Sequence, residues 1–372
     1  MAAGGYELGQ HDVAVASSAA AWPFFGTHQS GIATPQQDHL VLGAFDLVER
    51  EASELQQLLR AWSTIGADLQ ACRRPRTIND PGEADELAPA RLTLTFGLGP
   101  ELFERGGDDV LGLRRHRPAA LQPIGALPGD ELQPARSGGD LCVQACANDP
   151  QVAFHAVHSL TLAARGIAVP RWAQAGFLPR RAEAAHAANR SPRNLMGFKD
   201  GTNNIRADDA AQMREHVWVG AHETPAWMRG GSYLVVRRIR MLLDVWDGLT
   251  TTDQEHAIGR RKQSRERLGH AAMPPDAHVN LAAAKNNSGV RILRRGYSYN
   301  DGVDPDTGQI DAGLVFICFQ RDPRRQFTAI QRRLGVHDAL AKHLSHTSSA
   351  VFACPPGASP GGYVGEHLFT RI

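Results

Sequence analysis

Cysteine is scarce in this 372-residue sequence, and its spacing argues against cysteine-based sites. The count is odd, and the sequence contains no Cys-x-x-Cys pair. Cys142 and Cys146 would share one face of a predicted strand but lie about 13 Å apart along it, too far for a disulfide. We expect all five cysteines to be buried small hydrophobic residues rather than metal ligands or a redox pair: Cys72, Cys142, Cys146, Cys318 and Cys354.

Charge imbalance and long apolar runs are also missing. Lys and Arg number 40 against 39 Asp and Glu, a net charge of +1, so the whole-chain charge favours neither nucleic acid nor an anionic membrane as a partner. No stretch reaches the roughly 18 to 20 apolar residues of a membrane helix, so we expect no transmembrane segment. The N-terminus, residues 1–6, has no basic region followed by an apolar core. This fits either a cytoplasmic protein or a mature form whose leader has been removed.

Hydrophobic residues make up 42% of the chain, enough for a sizeable core in two domains or one large double domain. Residues 1–37 resemble an extended arm anchored by Phe24 and Phe25. Asp149 and Pro150 are placed to cap and begin a helix. The patterns predict strands at 39–47, 92–96 and 141–147, helices at 51–62 and 150–164, a long irregular connection at 106–138, and a separating passage at 170–193.

The second half repeats this plan. Thr252 is expected to cap a helix that runs to about Arg260, with Glu255 at the reciprocal position of a capping box. Strands are predicted at 231–240, 314–320 and 350–354, with a helix at 324–334. Helices that alternate with half-buried strands in two similar halves indicate an α+β protein of two related subdomains, spanning 38–190 and 191–372.

Two glycines bracket a carboxylate in the stretch Gly197-Phe198-Lys199-Asp200-Gly201. Glycines permit a sharp turn or a close approach of the backbone to a flat ligand. On its own the motif is weak, since Asp-Gly-Thr-Asn-Asn is also an ordinary turn sequence. Two later segments accompany it: Asp276-Ala277-His278-Val279, and the stretch 292–299 with the letters ILRRGYSY.

Together these segments resemble the dye-decolourising peroxidases, which carry a Gly-x-x-Asp-Gly motif, a proximal histidine and a distal arginine. The resemblance includes the stretches 25–32 (FGTHQSGI), 140–146 (DLCVQAC) and 230–260, covers nearly the whole chain, and favours the A-type, exported branch. It implies two ferredoxin-like subdomains with facing antiparallel sheets, and one haem b per chain in the second. It also implies reduction of hydrogen peroxide, oxidation of aromatic or dye donors, and a periplasmic or secreted location; a homo-oligomer is possible. The alternative is a haem-binding, deferrochelatase-like protein of an iron-uptake system.

The resemblance assigns three central roles. His278 would be the axial ligand of the haem iron, Asp200 the distal acid and base, and Arg294 the distal cation. Arg295 would point the other way, because successive residues of a strand face opposite sides. Without the resemblance, a core or surface histidine, a turn-capping aspartate and a surface ion pair would be the simpler interpretations.

Further positions carry over from the same resemblance. Gly201, Thr202 and Asn203 would contact haem, and Arg260 would pair with a propionate. Leu314 and Phe316 would line the distal side, although plain core packing explains them equally well. After the ligand, Asn280 stands where many members have arginine, which removes a propionate contact. Two aspartates are candidates for the acceptor of the second N–H of His278: Asp311 and Asp338. Tyr297 and Tyr299 are candidate relays for bulky donors, or simply packing residues.

Overall fold

The computed structural model describes residues 21–48, 51–179, 193–199, 203–264 and 266–370. Within these ranges the chain forms nine strands and seven α-helices. The strands are β1 (His39–Leu47), β2 (Thr93–Leu98), β3 (Leu141–Ala147), β4 (Ala168–Phe177), β5 (Ser232–Met241), β6 (Leu293–Arg294), β7 (Tyr297–Val303), β8 (Ile310–Gln320) and β9 (Leu344–Cys354). The helices are α1 (Ala52–Gln70), α2 (Pro150–Ala163), α3 (Ala210–His216), α4 (Leu243–Asp247), α5 (Thr251–Ile258), α6 (His278–Leu281) and α7 (Phe327–His337).

The strands form one antiparallel sheet that closes on itself. The N-terminal half has the order β4-β1-β3-β2, and in the C-terminal half β9 and β8 flank β5, with β7 and β6 beyond β8. The halves join where β2 meets β9 and where β4 meets β7. In the N-terminal half the order β1-α1-β2-β3-α2-β4 places β1 beside β3, which is the ferredoxin-like arrangement. The C-terminal half follows the same plan, with β5 beside β8 and with β6 and β7 together in the position of the second strand. The predicted α+β fold class is confirmed.

Local sequence signals explain where several elements begin. Asp149 caps α2 as predicted, since its carboxylate accepts hydrogen bonds from the backbone N–H groups of Gln151 and Val152. Helix α1 continues eight residues past the predicted end at Trp62. Gly66 lies inside α1 because Phe24 packs against it: an added Cβ would come within 2.8 Å of the Phe24 ring. The expected anchoring of the arm by Phe24 is thus a contact with α1.

Three predictions of local structure are wrong. Strand β4 occupies the first part, up to Phe177, of the stretch 170–193 that was expected to separate the halves. Pro170 fits in this strand because the register with β1 shifts between Ala44 and Phe45. The N-cap of α5 is Thr250 rather than Thr252, and its hydroxyl accepts from the N–H of Asp253. Cys72 is exposed, whereas the other four cysteines are buried as expected, and all five are free thiols.

Two hydrophobic clusters form the bulk of the core. One packs α1 and α2 against the N-terminal strands, with Trp62 and Phe96 near its centre. The other lies between the two halves and contains Tyr297, Tyr299 and Phe352. Across the described residues, we find no helix with the length and hydropathy needed to span a bilayer.

Candidate active site

The segment 193–199, which precedes Asp200, is a tight turn held by its own side chains. Gly197 adopts a positive φ of 81°, which favours glycine. Arg193 donates from Nη1 to the carbonyl oxygens of Gly197 (2.6 Å) and Lys262 (2.8 Å). The indole of Trp246 donates to the Met196 carbonyl at 3.2 Å. Asp200, Gly201 and Thr202 themselves lie outside the described residues.

A third hydrophobic cluster brings the motif segments together. Met196 and Phe198 of the turn are buried in it with Trp246 of α4 and Ile258 of α5. Val279, next to His278, and Leu314 of β8 pack against its rim. The Phe198 and Trp246 rings meet edge to face, with centroids 5.9 Å apart. Segments separated by more than 100 residues in sequence therefore converge on one place in the C-terminal half.

His278 is the first residue of the four-residue helix α6, and its ring is fixed by Asp338. Nδ1 of His278 lies 2.6 Å from Oδ2 of Asp338, whose side chain is only 4% exposed. Because a carboxylate can only accept, Nδ1 carries the hydrogen and the lone pair sits on Nε2. Asp338 follows the end of α7, and the N–H of Ala339 donates to the Asp276 carbonyl at 3.0 Å. The residues that follow α7 thus hold both the ring of His278 and the backbone of Asp276, two residues before it.

Of the two aspartates that the sequence left open, the structure selects Asp338. Asp311 accepts instead from Arg238 at 2.6 Å and from the Tyr299 hydroxyl at 3.1 Å. Tyr299 and Tyr297 are both buried, 1% and 0% exposed.

Gly259 allows α5 to approach the His278 segment closely. It has a positive φ of 85°, and an added Cβ would lie 2.7 Å from Val279 and 3.1 Å from Ala277. Any side chain there would push the two segments apart. Arg260 follows directly in sequence and is half-buried.

Arg294 and Arg295 lie on opposite faces of the chain at β6. Arg294 pairs with Cys318 of β8, and period-two alternation puts its side chain on the same face as Phe316 and Leu314. Arg295 is 5% exposed and points toward the N-terminal arm, where it donates to the Thr34 carbonyl and to Gln37. Leu314 and Phe316 are half-buried, in contrast to the fully buried Val315 between them.

Asn204 links the turn after Asp200 to β6, a contact that the sequence analysis missed. Its side-chain oxygen accepts from the N–H of Arg294 at 2.9 Å, and its amide donates to the Arg294 carbonyl at 2.7 Å. The Asn204 side chain thereby pairs both backbone polar groups of Arg294, as a neighbouring strand would. Asn203 is exposed and receives hydrogen bonds from Arg291 at its carbonyl and side-chain oxygens. The only sequence signal for Asn204 was the Asn-Asn pair, which is also typical of a turn.

His346 of β9 is a second histidine close to His278. Burial, reinforced by the nearby charge of Arg237, lowers the pKa of His346 to about 3. Its ring is therefore neutral at ordinary pH. The neighbouring ring on this side of His278 is therefore uncharged.

The described residues fit a bound haem. The hydrogen bond from Nδ1 of His278 to Asp338 leaves Nε2 as the atom that can coordinate a metal. This arrangement is usual for a metal-ligating histidine with a carboxylate partner. Leu314 and Phe316 offer half-buried apolar surface to a flat ring, with the permanently charged Arg294 on the same face. The donor set is one imidazole without thiolates, which suits a haem with an axial histidine.

Comparisons with known proteins show that most of the chain is similar to one protein family. Residues 29–178 match the family model "Dyp-type peroxidase, N-terminal", and residues 191–359 match "Dyp-type peroxidase, C-terminal". A deferrochelatase of Escherichia coli strain K12 is 35% identical over 93% of this chain and 86% of its own length.

Solved structures show the same similarity. A DyP-type peroxidase from Streptomyces coelicolor superimposes with a TM-score of 0.87 at 40% identity, covering 95% of this chain and 98% of its own. Ferric DtpA from Streptomyces lividans gives a TM-score of 0.86 at 39% identity, covering 95% and 99%.

Proposed function

We propose that this chain, which belongs to the dye-decolourising (Dyp-type) peroxidase family, holds haem b through Nε2 of His278, one haem per chain. As a family member it is a haem-dependent oxidoreductase that acts on hydrogen peroxide. The observation that carries the ligand assignment is the 2.6 Å hydrogen bond from His278 to Asp338. Bound haem supplies the redox chemistry of peroxide cleavage.

The distal side is assigned to Asp200 and Arg294. Asp200 would take a proton from the peroxide oxygen nearer the iron and return it to the departing oxygen, the role of a general acid and base. Arg294 would stabilise the negative charge that builds on the departing oxygen. Support comes from Asn204, which follows Asp200 by four residues and bonds both backbone polar groups of Arg294. Asn204 therefore ties the segment that follows Asp200 in sequence to the strand that carries Arg294.

The remaining haem contacts are assigned from the same family resemblance. Gly201, Thr202 and Asn203 would border the ring after Asp200, and Arg260 would pair with a propionate through its guanidinium. Leu314 and Phe316 would cover the distal face. Their half-buried state beside a buried Val315 supports this role over plain core packing.

The donors and location are proposed from the family. We expect small aromatic molecules, including dyes, to be oxidised, and the protein to act outside the cytoplasm. The proposed units are an arm at 1–37, an N-terminal domain at 38–190 and a haem-binding domain at 191–372. The matched family segments, 29–178 and 191–359, support a boundary between the two halves.

A second candidate function is favoured by the relatives named deferrochelatase. A protein that binds haem and releases its iron needs His278 but has no use for a distal acid and base. Asp200→Ala therefore separates the two functions. For a peroxidase, the variant should keep haem and lose most peroxide-driven dye oxidation.

Asp208→Ala is the matched control, because Asp208 is exposed and pairs with Arg206 in the same region. It should leave turnover unchanged. If Asp200→Ala oxidises dyes as fast as the unmodified protein does, the distal assignment is wrong and the iron-release function gains support.

A further inference from the structure

A cluster of two histidines and two carboxylates lies in the N-terminal half, between α2 and the connection from α1 to β2. His155 and His158 are three residues apart on α2 and so share one face of the helix. Asp80 and Glu83 come from the connection. Ligand atoms of Asp80, Glu83 and His155 all lie within 4.8 Å of one another. The proposed peroxidase reaction uses none of these residues.

The cluster is built around Glu83. Its Oε2 lies 2.7 Å from Nδ1 of His155, and its other carboxylate oxygen contacts Nδ1 of His158. Nε2 of His155 lies 3.6 Å from Oδ1 of Asp80. The His155 and Asp80 side chains are only 6% and 4% exposed, whereas His158 is 36% exposed and opens the cluster to solvent.

The electrostatics of the cluster call for a cation. With neutral imidazoles, two carboxylates lie close together in a largely buried place, and their repulsion is weakly screened. Arg74 reaches this region, but its hydrogen bond is to the Asp80 backbone carbonyl at 2.9 Å. Either protons on the histidines or a bound cation must balance the charge.

We propose that Asp80, Glu83, His155 and His158 form a binding site for a divalent transition-metal ion, with Zn²⁺ the best match. Two imidazoles with two carboxylates suit zinc, whereas calcium and magnesium prefer oxygen ligands alone. Tetrahedral zinc with bonds of about 2.0 to 2.1 Å places its ligand atoms about 3.3 Å apart. The ligand atoms of Asp80, Glu83 and His155 lie within 4.8 Å of one another, and His158 contacts Glu83.

The ion would link the connection between α1 and β2, residues 71–92, to α2. Residues 71–92 contain turns but no helix or strand, and Gln151 of α2 donates to the Glu83 carbonyl at 2.5 Å. Asp80 in turn accepts from the N–H of Gly82 at 2.8 Å, which orients the carboxylate toward His155. A metal that joins both segments stabilises the folded state, because the unfolded chain does not hold the four ligands together.

Zinc titration of the haem-loaded protein, after chelator treatment and dialysis, tests the site. We expect one zinc per chain, a rise in melting temperature with zinc, and slower proteolysis within residues 71–92. His158→Ala and Glu83→Gln should each weaken zinc binding at least about tenfold, the loss that even an outer partner of a metal ligand commonly causes. Affinity should also fall below about pH 6.5, where protons compete for imidazole.

His222→Ala is the matched control, since His222 is exposed and belongs to a different part of the chain. It should bind zinc as the unmodified protein does, and His158→Ala should retain dye oxidation. Absence of zinc binding, or equal affinity in His158→Ala and the unmodified protein, overturns the proposal. The cluster is then a network held by protons alone.

Discussion

Replacing Asp338 by alanine tests how His278 is held, because the Asp338 carboxylate accepts the 2.6 Å hydrogen bond from His278 Nδ1. The carboxylate is only 4% exposed, so water replaces it poorly. Loss of such a partner commonly lowers metal affinity about 10- to 100-fold, which corresponds to about 1.4 to 2.7 kcal/mol. We expect Asp338→Ala to weaken haem binding by this factor.

Titration of haem into the haem-free protein, followed at the Soret band, measures the affinity. The reduction potential of the iron is a second readout, because the carboxylate makes the imidazole a stronger donor and its loss should raise the potential. His278→Ala sets the limit for complete loss of the axial ligand.

Asp311→Ala is the control that separates this effect from general destabilisation. Asp311 is the other aspartate that the sequence allowed, and it bonds Arg238 and Tyr299 instead of His278. The Asp311→Ala variant should have a lower melting temperature but unchanged haem affinity and reduction potential. Unaltered affinity and potential in Asp338→Ala, or an equal loss in Asp311→Ala, would refute the assignment.

Two further predictions concern the distal side. Arg294→Leu should slow the reaction with peroxide about 10²- to 10³-fold in stopped-flow mixing, the usual cost of losing an electrostatic donor in a closed site. Arg295→Leu, which removes the contacts with Thr34 and Gln37, should mainly lower thermal stability; equal small effects on rate would contradict the opposite orientation of the two side chains. Dye oxidation should have an acidic optimum, since an aspartate stays ionised at lower pH than an imidazole stays neutral. An optimum near neutral pH that falls away below about pH 6 would argue against Asp200 as the base.

The sequence pattern predicted best the strands that are mostly buried and the helix that has a clear N-cap. The bounds of β1 and β3 agree with the sequence to the residue, and Asp149 marks the start of α2. Strand β4 was not predicted because it contains Pro170 and half of its ten residues are exposed, so it has little apolar alternation. The apolar face predicted α1 only as far as Trp62, whereas the helix continues through Gly66, which admits the Phe24 ring.

The site was predictable only where a residue type carries its own chemistry. A histidine between Ala277 and Val279, or an arginine before Arg295, can be singled out by its place in a motif. Asp338 could not be chosen over Asp311, because the choice depends on the end of α7 docking on the Asp276 carbonyl. That contact joins segments about 60 residues apart and leaves no local pattern.

The shortness of α6 explains why such remote contacts matter. A helix of four residues is too short to be stable by itself, so neither the backbone nor the ring of His278 is oriented by local structure. Asp338 fixes the ring, Ala339 fixes the preceding carbonyl, and Gly259 lets α5 press against Val279. Asn204 holds the backbone of Arg294, whose side chain lies on the same strand face as Phe316. The candidate ligand and the candidate distal cation are therefore each positioned by a neighbour whose own side chain takes no part in the proposed chemistry.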